Sequence, residues 1–306
     1  MIERASARGR VLSFCGFRRT VRDLQRSIEF YVQALGFAVD GTANAVVARL
    51  TLGDESIELF APMHTPAVGA ADRAVSSSAF QHLAIVASDM SAAMQRLARH
   101  APIIPISSGD AGVQLPARSG GVTAFKFRDP DGHALELIGF PRGSGNPKWQ
   151  RADARGPTLG IDHSAIGVAS VERSLAFYVG LLGFRETAKQ TNHGDAQARL
   201  DGIESPEVDV VSLSPAAAET PHVELLCYRA PLPRLRIDVP PIGEDLGDRI
   251  VLQVDDLLAV AAKLTAARQQ YLRVGEQALL VRHEQSHPIL LNQACAALGL
   301  GPVNTT

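Results

Sequence analysis

Three glutamates stand inside apolar, β-type runs: Ile57-Glu58-Leu59, Leu135-Glu136-Leu137 and Val223-Glu224-Leu225. A carboxylate carried into a core by such a run needs a cationic partner or a metal ion. Simple in-out alternation would instead put it in water. Nine histidines supply the other candidate chemistry. Imidazole can bind a metal or carry a proton near neutral pH, but a single strand histidine is more often a packed or solvated side chain. His133 and His287 each follow a turn between two runs and read as structural. His64, His100, His193, His222 and His283 read as surface or loop residues. Cys15, Cys227 and Cys295 are odd in number and far apart. No disulfide framework is therefore expected, a reducing cytoplasm fits, and Cys15 reads as a buried thiol. The chain has no glycine-rich phosphate loop, nucleophile elbow or Cys-x-x-Cys pair.

The chain that must position these groups has 306 residues, enough for two domains with proper cores. Apolar residues make up 46% and charged residues 20%, the balance of an ordinary globular protein. A formal net charge of −2 leaves no basic field for nucleic acid or an anionic membrane. No apolar run approaches the roughly 18–20 residues of a membrane helix. Met1-Ile2-Glu3-Arg4 is followed by no apolar stretch, so no secretory signal is expected.

An internal repeat organises the chain. Residues 20–37, TVRDLQRSIEFYVQALGF, superpose without a gap on residues 167–184, GVASVERSLAFYVGLLGF, at an offset of 147. The match includes Arg26/Arg173, Ser27/Ser174, Phe30/Phe177, Tyr31/Tyr178, Gly36/Gly183 and Phe37/Phe184. A weaker pair sets His82-Leu-Ala-Ile-Val-Ala-Ser-Asp-Met against Arg249-Ile-Val-Leu-Gln-Val-Asp-Asp-Leu, and helical stretches follow at 91–99 and 256–267. Each unit begins with a β-type run, then a Ser or Asp that can cap a helix, then a glycine that can end it. Further β-type runs follow at 45–50, 56–60, 121–127 and 133–138 in the first half, and at 208–213, 222–227, 278–282 and 287–291 in the second. Asp129-Pro-Asp-Gly132 is a turn by its own chemistry, with proline fixing φ and glycine accepting positive φ. The spacing predicts four units, 12–62, 80–141, 158–230 and 247–294, joined by loops rich in Pro, Gly, Ala and Ser. The Phe-Tyr pairs on the helices read as core.

Four such units, the S-x-x-F-Y…L-G-F helix and the D-P-D-G-H hairpin resemble the vicinal oxygen chelate superfamily over about 280 of the 306 residues. That superfamily includes glyoxalase I, extradiol dioxygenases and the bleomycin resistance proteins. The resemblance implies an α+β protein of four βαβββ modules, paired into two cup-shaped mixed-sheet barrels. It also implies metal ligands from the first and last strand of a module. Carried over by position, module 2 offers His82 and Glu136, and module 3 offers His163 and Glu224. Module 1 has Gly16 where His163 stands and keeps Glu58; module 4 has Arg249 and Leu290 in place of histidine and glutamate. If modules paired in sequence, both sites would be broken. Pairing 2 with 3 and 1 with 4, as in fused four-module glyoxalases, collects a two-His two-Glu set in one cup, and that pairing is expected. The other cup is then degenerate, with a Glu58–Arg249 salt bridge as a candidate replacement for its metal.

Such a donor set suits one divalent ion, Zn, Ni, Mn, Co or Fe. The ion would polarise a chelating carbonyl, and Glu136 or Glu224 would shuttle the neighbouring proton. The leading expectation is thus a metal-dependent lyase or isomerase resembling glyoxalase I, acting on a small carbonyl compound. One alternative is an extradiol-type, ring-cleaving dioxygenase, disfavoured because no catalytic histidine is evident. The other is a non-catalytic protein that sequesters a drug or metabolite. No nucleic-acid or membrane partner is expected, and the oligomeric state is a monomer or homodimer.

Overall fold

The computed structural model describes residues 8–41, 43–62, 74–100, 103–150, 156–233, 248–283 and 287–295. His64, part of the joins at 61–79 and 229–247, and the first residue of the fourth unit lie outside them.

Module 1 runs β1 (Val11–Thr20), α1 (Leu24–Glu29), β2 (Ala38–Val39), β3 (Val47–Leu52) and β4 (Glu55–Phe60). Module 2 follows with β5 (Gln81–Ala87), α2 (Met90–His100), β6 (Ile104–Pro105), β7 (Val113–Gln114), β8 (Thr123–Arg128) and β9 (Ala134–Gly139). Module 3 has β10 (Thr158–Gly167), α3 (Val171–Leu175), β11 (Arg185–His193), α4 (Asp195–Asp201), β12 (Glu207–Ser214) and β13 (His222–Ala230). Module 4 closes with β14 (Arg249–Val254), α5 (Leu257–Ala266), β15 (Tyr271–Val274), β16 (Ala278–Arg282) and β17 (Pro288–Asn292). Most of the expected strands lie within two residues of their expected place; β2, β6, β7, β11 and β15, and the helix α4, are elements that the sequence pattern did not reveal.

Local chemistry sets these elements. Asp23, Ser170 and Asp256 cap α1, α3 and α5 by accepting the backbone N–H of Arg26, Arg173 and Ala259. Both repeat helices continue into a π-helical turn, Phe30–Ala34 and Ala176–Leu181, which ends at Gly36 (φ 83°) and Gly183 (φ 74°). Only glycine adopts that backbone without strain.

The strands form two mixed sheets, each an open cup rather than a closed barrel. One has the order β15-β16-β17-β14-β1-β4-β3-β2, so module 4 lies beside module 1. The other has the order β11-β12-β13-β10-β5-β9-β8-β6, so module 3 lies beside module 2. β1–β14 and β10–β5 are the antiparallel seams, and each seam is flanked by parallel pairs. The sheet backs and the helices share one core, including Phe17, Tyr31, Phe125, Phe127, Phe177 and Tyr178. Burying an aromatic or leucine side chain of this kind stabilises the fold by about 1.5–3 kcal/mol.

The two sheets are joined by the hairpin motif. Asp129 Oδ1 accepts the N–H of Asp131 and His133, which shapes the turn, while Asp129 Oδ2 accepts the Tyr31 hydroxyl of module 1 at 2.8 Å. Asp131 takes the Ser27 hydroxyl at 2.9 Å and Arg26 Nη2 at 2.9 Å. The serine and tyrosine of S-x-x-F-Y therefore read the two aspartates of D-P-D-G-H. In the other half His283 stands in the hairpin position, stacks on Phe177 at 4.6 Å and faces the Ser174 hydroxyl at 3.2 Å. His283 is thus buried, not a surface residue.

Cys15 also departs from expectation: it is bonded to Cys295, 280 residues away, and Cys227 alone is a thiol. The chain's return past β17 brings Cys295 beside β1, a proximity no spacing rule reveals. No helix among the described residues is long and apolar enough to cross a membrane.

Candidate metal centre

Four adjacent strands, β9-β5-β10-β13, each carry one of the expected donors: Glu136, His82, His163 and Glu224. Register brings them together. Ala165 lies between His82 on β5 and Glu224 on β13, and Ala84 lies between His163 on β10 and Glu136 on β9. Both alanines are fully buried, and their small side chains leave room above the sheet for the longer donors. The equivalent positions of the other sheet are Arg18, between Arg249 and Glu58, and Val251, between Gly16 and Leu290.

Ligand atoms of His82, Glu136 and His163 lie within 4.8 Å of one another. His82 Nε2 is 2.7 Å from Glu136 Oε2, and His163 Nε2 is 3.5 Å from Glu224 Oε2. Despite this closeness, both ring nitrogens of His82 and Nε2 of His163 are buried without a hydrogen bond among the described residues. Buried polar atoms are rarely left so. The nitrogens and carboxylates face a common space on the sheet, and two imidazoles with two carboxylates are a donor set for a divalent cation.

Charge is finely divided here. Burial drives the His82 imidazole toward its neutral form, against the pull of Glu136. For His163, burial is outweighed by Glu224 and Asp162, which push it up to about 9. The carboxyls of Glu136 and Glu224 are held below the usual range: burial opposes their charge, but His82 acts on the first, and His163 and His222 on the second. Asp162 likewise stays ionised against burial through His163, His222 and Trp149.

The donors form the floor of a cavity of about 610 Å³. Leu115, Val122, Ile138 and Phe140 make an apolar wall from module 2, while Thr187, Gln190, Asn192 and Ser212 make a polar one from module 3. Helix α4 contributes Gln197 and Leu200 to the lining, and its last residue, Asp201, accepts Lys126 Nζ at 2.8 Å. Lys126 lies opposite Glu136 in the sheet; burial works against its charge, yet Asp201 and Glu136 keep it cationic.

His222 corrects the sequence reading. It lines the cavity, with Nε2 3.5 Å from Glu224 Oε1 and Nδ1 3.8 Å from Asp162 Oδ2. The signal was present: it stands two residues before Glu224, and strand alternation puts the two on one face. Ser212 Oγ donates to the same Glu224 oxygen at 3.2 Å. Lys126 and α4 had no such signal. His133 is buried between Asp248 and the Thr20 carbonyl, whereas His100 and His193 are exposed.

The second cup is filled. Val251, Ala278, Leu280 and Leu290 pack in it beside Cys15. Glu58 is buried against Arg18, Nε to Oε1 at 3.1 Å, and the Arg18 guanidinium lies 4.2 Å from the Phe60 ring centre. Burial raises the Glu58 carboxyl, and Arg18, Arg49 and Arg249 oppose that rise in order. Arg249, the expected partner, acts on Glu58 as a neighbouring charge, and the ion pair is Arg18's.

Residues 16–137 and 160–274, well over half of the chain, match the family model of the Glyoxalase/Bleomycin resistance protein/Dioxygenase superfamily. A catechol-2,3-dioxygenase of Bacillus subtilis (strain 168) is 28% identical over 195 residues, spanning 54% of this chain and 62% of that relative. The crystal structure of glyoxalase I from Zea mays superposes with a TM-score of 0.60 at 16% identity, over 92% of each chain. A putative dioxygenase from Bacillus subtilis superposes with a TM-score of 0.53 at 14% identity, over 92% of this chain and 85% of that one. At these identities the two structures establish a shared fold.

Proposed function

This chain belongs to the glyoxalase/bleomycin resistance protein/dioxygenase superfamily, and from that premise we propose that it is a metal-dependent lyase or isomerase acting on a small carbonyl compound. The observation that carries the reading is the convergence of His82, Glu136 and His163 within 4.8 Å on a cavity floor that Glu224 also lines, with His82 Nδ1 and His163 Nε2 left unbonded among the described residues. A divalent ion held by these four would polarise a chelating carbonyl and stabilise the negative charge that develops on its oxygen.

The two glutamates differ in ways that divide the work. Glu136 is pressed against His82, with its side chain 7% exposed and Lys126 opposite it. Glu224 is 21% exposed and meets only longer contacts, from Ser212, His163 and His222. Glu224 therefore moves the substrate proton, and Glu136 holds its place. A carboxylate in this role is worth about 10²–10⁴-fold in rate. The apolar wall limits water around the reacting carbon, and the polar wall orients the substrate's oxygens.

The experiment has two arms. Purified protein is analysed for bound metal, and exchange of the α-proton of a panel of α-hydroxy carbonyl compounds is followed in D₂O. We expect about one equivalent of metal per chain and exchange that chelation abolishes. Glu224→Gln should retain metal but lose exchange, whereas Glu136→Gln should lose metal. Protein that takes up no Zn, Ni, Mn, Co or Fe, and binds small molecules equally well after chelation, would be a sequestering protein instead. A second reading, ring-cleaving dioxygenase, draws on His222, the third imidazole in the cavity, and on the catechol-2,3-dioxygenase relative. Oxygen uptake with catechol, dependent on Fe²⁺ and lost in His222→Ala, would favour it.

A further inference from the structure

The segment linking modules 2 and 3 reaches back beneath the candidate metal centre. Trp149, the one tryptophan of the chain, ends a short 3₁₀ turn, Pro147–Trp149, and is buried. Its indole lies against β10 at Gly160, where any Cβ would come within 2.9 Å of the ring. From there Nε1–H donates to Asp162 Oδ1 at 2.7 Å. The other carboxylate oxygen of Asp162 lies 3.0 Å from His163 Nδ1. The backbone is pinned as well, since the Asp162 carbonyl accepts the Thr220 hydroxyl at 3.0 Å.

These contacts determine which way round His163 works. Indole N–H is a donor only, and an ionised carboxylate is an acceptor only, so His163 Nδ1 must carry the proton that faces Asp162. Nε2, buried with no hydrogen bond among the described residues and facing Glu224, is thereby the nitrogen left to give up its proton and offer a lone pair when a cation binds. His82 has no such support. Gln81 stands before it and donates to the Ser164 hydroxyl at 3.0 Å, and His82 Nδ1 has no hydrogen-bond partner among the described residues.

We infer that Asp162, held by Trp149, is the positioning residue of the metal centre: it fixes the His163 tautomer and ring angle, so the inter-module linker sets metal affinity. This rests on the metal reading above. A carboxylate behind a ligating imidazole typically accounts for 10–100-fold in metal affinity.

The test compares Asp162→Asn, Asp162→Ala and Trp149→Phe with the unaltered full chain, by titrating Co²⁺ alone and following its visible absorption. Quenching of the Trp149 emission gives a second readout where the indole is kept. Asparagine preserves shape and still accepts from Trp149, but it turns an N–H toward His163 Nδ1 and forces the proton onto Nε2. Asn should therefore weaken Co²⁺ binding by about 10–100-fold and at least as much as Ala. Trp149→Phe should weaken it in the same direction. A purely structural role predicts the opposite order, with Asn tolerated and Ala harmful. Melting curves identify a variant that fails to fold, and Asn and Phe decide the matter if Ala does. Unaltered protein that binds no Co²⁺ overturns the metal reading and this inference together. Normal binding by Asp162→Asn and Trp149→Phe overturns the inference alone.

Discussion

His133→Gln should destabilise the protein at mildly acidic pH and much less at pH 10. His133 is buried with Nδ1 3.1 Å from Asp248 Oδ1 and Nε2 2.7 Å from the Thr20 carbonyl. Both nitrogens face acceptors, so both must carry protons, and the ring is an imidazolium. The surrounding cluster balances that charge: Arg19 reaches Asp248 at 3.3 Å and Asp129 at 3.7 Å. Burial disfavours the cation, yet Asp248 and Asp129 outweigh it and push His133 up to about 9. Against 6.5 for an exposed imidazole, that difference corresponds to about 3 kcal/mol. Because the folded value is the higher one, the contribution is complete below about pH 6.5 and disappears as pH rises through 9. Guanidinium unfolding of both proteins at pH 5.5 and pH 10, read by Trp149 fluorescence and circular dichroism, measures it. The stability gap between them should shrink by up to about 3 kcal/mol, since other titrations are common to both. A gap that stays constant with pH would refute the charged-imidazole argument.

Further outcomes are expected elsewhere. Lys126→Met should cost about 3–5 kcal/mol by leaving Asp201 buried without its cation, and adding Asp201→Leu should recover much of it. Melting curves of the single and double variants check this, and a single variant as stable as the parent would contradict it. Gly202→Ala should cost about 1–3 kcal/mol, because its φ is +63° and a Cβ would lie 2.2 Å from the Ile106 carbonyl oxygen. An unchanged melting temperature would show that α4 yields freely. Divalent ion at 100-fold above its Kd should raise apparent stability by about 2.7 kcal/mol, with reversal by chelator.

The parts of this molecule written in local sequence were readable before its structure. Helix caps at Asp23 and Ser170, glycine stops at 36 and 183, and the Asp129–Gly132 turn each depend on a few neighbouring residues. The offset of 147 also made Gly16 legible as the counterpart of His163, since a repeat preserves strand position. What stayed hidden depends on distant partners. Tyr31 and Asp129 looked like core and turn, and nothing local says that one donates to the other. Cys15 and Cys295 meet only because β14 and β17 carry the chain back to β1. Arg18 was unremarked because its counterpart, Ala165, bears no charge, although it is Arg18 that neutralises Glu58. Helix α4 begins at Gly194 without a capping side chain and is too short for a clear apolar period.

The docking of hairpins onto helices has a mechanical consequence. Strand pairing fastens module 2 to module 3 and module 4 to module 1, while the hairpin contacts fasten module 2 to module 1 and module 4 to module 3. These joints close a loop of four bodies, with further bonds between modules 1 and 3 across it, and no body can leave without opening at least two joints at once. The half that has exchanged its donors for arginine and leucine is therefore not idle ballast. It is the return path that clamps modules 2 and 3, and with them the angle between β5 and β10 on which the placement of His82 and His163 depends.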